Sequence, residues 1–226
     1  MKTLYKSVLV LDPSSSHHGK KRDVILDDSK IMDIGASLQL SRGKVVEAKQ
    51  LVMSHGWMDT YAHFRDPGEE AFEDLSSGRS AAQAGGFKYV ALAPSTQPPV
   101  DHKSSVERLV NSNRTSLVQC IPLGALSAGL KGEQLAEHFD MHASGAKAFS
   151  DDKCNVSAGL MLRALEYAKG FDGLIMSFPH DPSIAPGGQI HEGATSVHMG
   201  VKGLPEVAEE LRLIRDIELL RYSQSR

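Results

Sequence analysis

Cysteine is scarce in this chain, with two residues, Cys120 and Cys154, in 226. They are far apart, and neither has a second thiol or imidazole at ligand spacing. No disulfide framework and no zinc-finger pattern can be read from them. Two reduced thiols are the expectation, which places the protein in the cytoplasm. Aromatic residues make up 6%, with one tryptophan. No run of about 18 apolar residues occurs, so no membrane-spanning helix is expected. The apolar stretch Leu4–Leu11 is too short for a signal-peptide core and lacks a small-residue cleavage site. Neither sign of charge dominates: 25 Lys and Arg against 28 Asp and Glu leave a formal charge of -3. That excludes nucleic-acid binding through bulk positive charge and leaves small molecules and protein partners. Low-complexity tracts and repeats of 20 to 50 residues are also missing.

What is present is an ordinary globular interior, with 41% hydrophobic residues. The length suits one large domain, or one domain with a small companion. Residues 1–54 read as short strands separated by tight turns: Leu4–Leu11, Asp23–Leu26, Lys30–Ile34 and a broken run over 45–53, with a turn at Asp27-Asp28-Ser29. Such a piece resembles part of a small β-sandwich.

From residue 55 the period changes. Strand-like runs near 57–62, 89–93, 117–122, 146–150 and 174–178 alternate with helix-like stretches near 74–84, 103–111, 132–142 and 158–170. A last helix is predicted from Leu204-Pro205, with Val207, Leu211, Ile214, Ile217 and Leu220 along one face. Strand–helix alternation makes a parallel sheet covered by helices. The fold class is therefore α/β. Five units fit either an open sheet or a partial (β/α) barrel, since a closed barrel needs three more.

In such folds, chemistry sits after the C-terminal ends of the strands. The predicted mouth carries Asp59 to Gly68 after the first strand and Pro94-Ser95-Thr96-Gln97-Pro98 after the second. Ser150-Asp151-Asp152-Lys153 follows the fourth, and Pro179-His180-Asp181-Pro182 the fifth.

Gly56-Trp57-Met58-Asp59 with His63-Phe64-Arg65-Asp66-Pro67-Gly68 resembles the first-strand signature of the dihydroorotases, members of the cyclic amidohydrolase superfamily. Ala81 to Phe87, Phe149-Ser150-Asp151-Asp152, Gly159 to Ala168 and His191-Glu192-Gly193 are similar to that family as well. The resemblance runs from about residue 4 to residue 222. It implies a partial TIM-type barrel over 55–226, preceded by a β piece over 1–54 that is half of a composite sandwich. It also implies metal-dependent hydrolysis of a cyclic amide in pyrimidine biosynthesis. A hydantoinase or allantoinase is a related possibility, although Arg65-Asp66-Pro67-Gly68 looks more like the dihydroorotase branch.

The resemblance further implies zinc or another divalent metal held by four His and two Asp. The first-strand His-x-His falls on Tyr61 and His63, and the bridging carboxylate on Asp151. The His after the fifth strand falls on Phe178, with His180 two residues on. The remaining His and Asp would lie beyond Arg226. Tyrosine is a poor zinc ligand because its phenol must lose a proton near pKa ~10, and a phenyl ring cannot ligate. With His63 and Asp151 alone, metal binding is expected to be weak or absent. On the substrate side, Arg65 matches the arginine for the substrate carboxylate, and Ser95 stands at its companion asparagine. The expectation is a non-catalytic dihydroorotase-like protein. Its partner would be aspartate transcarbamoylase, with self-association through open sheet edges as the other route. An active enzyme acting on a small cyclic amide is the competing reading.

Overall fold

The computed structural model describes residues 1–28 and 30–226. Ser29, part of the expected turn at 27–29, lies outside the described residues. The chain divides into two compact units, Met1–Gly56 and Trp57–Arg226.

The first unit is one sheet of five strands: β1 (Lys2–Leu11), β2 (Lys21–Asp27), β3 (Lys30–Gly35), β4 (Lys44–Val46) and β5 (Val52–Ser54). The order is β3-β2-β1-β4, and β5 pairs with β1 further along. Alternation sends Leu4, Val8, Val10 and Val24 to a buried face. Asp23 is buried too. It accepts hydrogen bonds from Ser7 N (2.9 Å), Leu38 N (3.0 Å) and Lys6 Nζ (2.9 Å). Burial alone would raise its pKa, but these donors outweigh burial and hold it below the usual value. The broken run over 45–53 resolves into the two short strands β4 and β5.

The second unit begins with β6 (Trp57–Ala62), α1 (Leu75–Ala84), β7 (Phe87–Leu92), α2 (Lys103–Ser112) and β8 (Gln119–Ala125). It continues with α3 (His138–Ala143), β9 (Ala148–Ser150), α4 (Ala158–Lys169) and β10 (Leu174–Ile175). The last elements are β11 (Ile190–His191), α5 (Ala194–Met199), β12 (Gly203–Leu204) and α6 (Val207–Ser223). Strands β6 to β10 form one sheet in the order β10-β9-β8-β7-β6, parallel throughout. Five strand–helix units in sequential order are the expected α/β architecture.

Local chemistry explains the boundaries. Asp74 caps α1, accepting from Ser77 N at 2.7 Å while Ser77 Oγ accepts from Asp74 N at 3.1 Å. Ser157 caps α4 by accepting from Leu160 N at 3.2 Å. The helix expected over 132–142 is confined to 138–143. Residues 132–137 instead form a loop in which Ala136 N donates to Leu126 O and Ala128 N to Gln134 O. The fifth strand stops at Ile175 rather than 178. The last helix begins at Val207, because Leu204 is already used in β12, paired in parallel with β11.

The main core lies between the sheet and its helices. Val90, Leu92, Val106, Leu109, Cys120, Met141 and Phe149 are among its buried members. A second cluster of Leu126, Val156, Leu160, Met161, Ala164 and Leu165 seats α4. A third, smaller cluster holds Ala91, Leu123 and Ala148, with Tyr61, Ile121 and Met176 packed on it. The apolar stripe predicted for α6 is not buried. Leu211 (52%), Ile214 (57%) and Ile217 (38%) are exposed, while Ala208, Arg212 and Ser223 face inward.

Candidate functional site

Parallel strands put their C-terminal ends on one side of a sheet. His63 follows the last residue of β6, Ser95 lies three residues after β7, and Asp151 and Asp152 directly follow β9. These segments meet. His63 Nε2 lies 2.9 Å from Asp152 Oδ2, and Ser95 Oγ donates to the same oxygen at 2.6 Å. Burial would raise the Asp152 pKa, but the bonds from Ser95 and His63 win and hold the carboxyl below its usual range. Asp152 is therefore an anion that binds together the ends of three segments. Its backbone is left-handed (φ 51°), a conformation that Asp tolerates better than most residues.

Asp151, where the resemblance places the bridging carboxylate, is engaged by Ser127. One carboxylate oxygen accepts from Ser127 N at 2.7 Å and the other from Ser127 Oγ. The side chain is buried, and burial pushes its pKa upward despite those bonds. Successive residues leave a strand on opposite sides, and of the two adjacent acids only the second reaches His63. Asp152 was quoted within the motif, yet nothing in an Asp-Asp pair says which carboxylate turns inward.

Tyr61 packs its ring on the Ala91, Leu123 and Ala148 cluster and meets the His63 ring edge-on, with centroids 5.6 Å apart. Its hydroxyl is buried without a hydrogen-bond partner. Burial, reinforced by the charge of Asp152, pushes the phenol pKa far above normal. Deprotonating it to bind a metal is thus harder here than in water. Phe178 lies in the loop after β10, 42% exposed, with the His180 ring at 6.4 Å.

Arg65 Nη1 donates to Glu69 Oε2 at 2.7 Å, and its guanidinium lies 5.3 Å from the centroid of the Phe72 ring. It is about half exposed and left-handed at φ 58°. Its loop is fixed from both ends. Arg108 Nη2 donates to Asp66 Oδ1 at 3.1 Å, and Gln97 N donates to Pro67 O at 2.9 Å. Gly68 has φ 113°, and a Cβ there would meet Gln97 O at 2.5 Å. Only glycine fits where these two loops touch. A cavity of about 320 Å³ lies beside this contact, lined by Pro67, Thr96, Pro98, Val100 and Leu109 among others.

Catalytic zinc takes three protein ligands and keeps one position open. Here His63 Nε2 is engaged by Asp152, both oxygens of Asp151 are taken by Ser127, the Tyr61 phenol resists ionisation, and Phe178 has no donor atom. Among the described residues, no group of three or more His, Cys, Asp or Glu is arranged to hold a metal. The donor set does not fit a zinc centre.

Comparison with known proteins accords with the architecture. The model of the Dihydro-orotase-like family matches residues 50–225. A dihydroorotase from Acetivibrio thermocellus is 39% identical over 223 residues, which are 98% of this chain and 52% of that one. One from Syntrophotalea carbinolica is 38% identical over 230 residues, covering 100% of this chain and 53% of that one. The chain spans about half the length of the curated relatives it matches. Among solved structures, L-hydantoinase from Arthrobacter aurescens superposes with a TM-score of 0.70 at 17% identity, over 99% of this chain and 51% of that one. A D-hydantoinase gives 0.72 at 17% identity, over 100% and 51%. Those two share the fold, a TIM barrel of which this chain matches about half. On the family match and the 39% identity, the chain belongs to the Dihydro-orotase-like family.

Proposed function

We propose that this protein is a non-catalytic member of its family, retained as a structural partner rather than as a hydrolase. One observation carries the reading: Tyr61 and Phe178 stand where the resemblance implies imidazole ligands. Neither can replace them, one because its buried phenol holds its proton, the other because it has no donor. The engagement of His63 by Asp152 supports the same reading, since a carboxylate and an imidazole that satisfy each other need no metal between them. The partner is proposed to be aspartate transcarbamoylase, which places the protein in pyrimidine biosynthesis; this rests on the family resemblance.

The test is elemental analysis of protein purified after growth with added zinc, alongside turnover of dihydroorotate. Well below one metal per chain and no turnover are expected. A stoichiometric binuclear site with hydrolysis would overturn the proposal in favour of an active cyclic amidohydrolase. The partnership is tested by mixing with purified aspartate transcarbamoylase and sizing the product, where a persistent absence of complex would remove it.

A further inference from the structure

The loops after β6 and β7 meet the start of α2 around the cavity of about 320 Å³, and His63, Asp151 and Asp152 are not among the residues that line it. Its lining is almost wholly carbon. Val100 and Leu109, each 2% exposed, belong to the main core, and Pro67 and Pro98 add one rigid ring from each loop. The frame is held by hydrogen bonds: Gln97 N donates to Pro67 O at 2.9 Å, Thr96 Oγ1 to Pro98 O at 2.7 Å and Val100 N to Pro94 O at 3.0 Å. Packed interiors leave few voids larger than a water molecule. A concavity of this size walled by core residues is a pocket rather than a packing fault. Polarity enters through Arg108, which is about half exposed and donates from Nη2 to Asp66 Oδ1 at 3.1 Å. Among the described residues, its other guanidinium N–H groups have no acceptor. The two acids nearby are already engaged. Asp66 Oδ2 accepts from Leu75 N at 3.2 Å, while Asp101 accepts from Gly129 N at 2.8 Å and lies 2.7 Å from the His102 ring. Helix α2 also begins here without a side-chain cap, so its dipole adds to the positive field.

We infer that this cavity binds a small aromatic monocarboxylate, its ring against Pro67, Pro98, Val100 and Leu109 and its carboxylate on the guanidinium N–H groups that Asp66 leaves free. Three features select the class. Walls without hydrogen-bonding groups require an apolar body. A rigid ring loses little freedom on entering a pocket whose own frame is fixed. One guanidinium offers paired donors to one planar carboxylate. Occupancy would tie the loop that carries Arg65 to the loop that carries Ser95, and so stabilise the folded chain. The inference needs no metal and stands whether or not the proposed loss of catalysis holds.

The probe is 2-naphthoate, with 2-naphthalenemethanol as its uncharged counterpart, each titrated calorimetrically into the full 226-residue chain. Naphthoate should bind with a Kd of about 1 mM or lower, raise the melting temperature and shift the amide NMR signals of Thr96 and Arg108. The alcohol should bind at least about tenfold more weakly. Arg108→Gln should weaken naphthoate by about the same factor and leave the alcohol unchanged, which shows that the pocket itself is intact. Ser104→Phe, at an exposed position of the lining, should close the cavity to both probes, with circular dichroism matching the parent's. Absence of saturable binding by the parent would overturn the inference. So would equal affinity for acid and alcohol, or binding indifferent to both variants.

Discussion

Replacing Asp151 by alanine should cost far more stability than replacing Asp152, although the family resemblance points to the first as the metal-bridging acid. Asp151 is 3% exposed, and its two oxygens take Ser127 N–H and Ser127 Oγ. Ser127 Oγ in turn accepts from Gly132 N at 2.8 Å, so the carboxylate anchors the whole turn from Ser127 to Gly132. Asp151→Ala strands two donors in a buried place. A hydrogen bond to a charged acceptor contributes about 1.5–3 kcal/mol, so the two together set a loss of about 3 kcal/mol after relief of the buried charge. Asp151→Asn keeps an oxygen for Ser127 N–H and offers an amide to Ser127 Oγ. It also removes a charge that burial already disfavours, so it should stay within about 1 kcal/mol of the parent. Asp152→Ala releases both His63, which is 38% exposed, and the half-buried Ser95 hydroxyl; both can turn to water, so the cost should be smaller, about 1.5 kcal/mol. Urea unfolding at neutral pH, followed by circular dichroism in the presence of a chelator, gives the order. An Asp151→Ala variant within about 0.5 kcal/mol of the parent, or one less damaging than Asp152→Ala, would refute the anchoring role.

Three further outcomes follow from the same structure. His138 is fully buried, its Nε2 2.7 Å from Leu126 O and its ring stacked on Phe149. Burial holds its pKa below the ordinary value against that bond, so only the unfolded chain takes up the proton at first. Stability is then intact above about pH 6.5 and falls as pH drops, by up to about 1.4 kcal/mol per unit until the folded imidazole also protonates. Urea midpoints across pH 5–8 should show this limb and its flattening in His138→Gln. Arg65→Ala removes only an exposed i,i+4 pair with Glu69 and a contact with Phe72. Its melting temperature should therefore be unchanged within about 0.5 kcal/mol of equivalent stability. An aromatic disulfide reagent should modify one thiol, exposed Cys154, and reach Cys120 (1% exposed) only on unfolding; two fast thiols would contradict the core as described.

The barrel half was legible because its signals are redundant. Phe87 to Leu92 reads as a strand from composition, from its place after a helix, and from Gly85-Gly86 before it. α4 was legible from its place between two strand-like runs, and the structure adds the Ser157 cap. Elements without such redundancy were missed. The strands β11 and β12 have two residues each and α5 has six, too short for any period to show. The stretch 132–137 looked helical because nothing local reveals that Ala136 N bonds to Leu126 O across a loop. In α6 the apolar residues do share one face, and that face is exposed. An apolar stripe reports which side avoids water, not whether the cover belongs to the same chain. At the site, His63, Ser95 and Asp151 are legible as candidates while Asp152 is not, because which aspartate faces the imidazole depends on how the strand end turns.

The persistence of this fold without a fitting set of ligands has a physical basis in where its stability resides. Phe149 is 0% exposed and stacks on His138, within a core that also holds Val90, Leu109 and Met141. That interior lies mostly between the sheet and its helices, with Val100 from the segment after β7 and Phe64 from the segment after β6 packed into it. The third cluster tells the same story from inside. Tyr61 adds its ring to Ala91, Leu123 and Ala148, and burying an aromatic ring there gains apolar contact that an imidazole would give less of. Tyr61 thus supplies packing at a position where the resemblance implies an imidazole. Asp152 supplies the remaining compensation: its charge would be costly beside empty space, but His63 and Ser95 satisfy it directly. A chain that had lost a ligand and left its carboxylate unpaired would carry a destabilised site. Among the described residues at the mouth, the Tyr61 hydroxyl is the one buried side-chain polar atom without a partner.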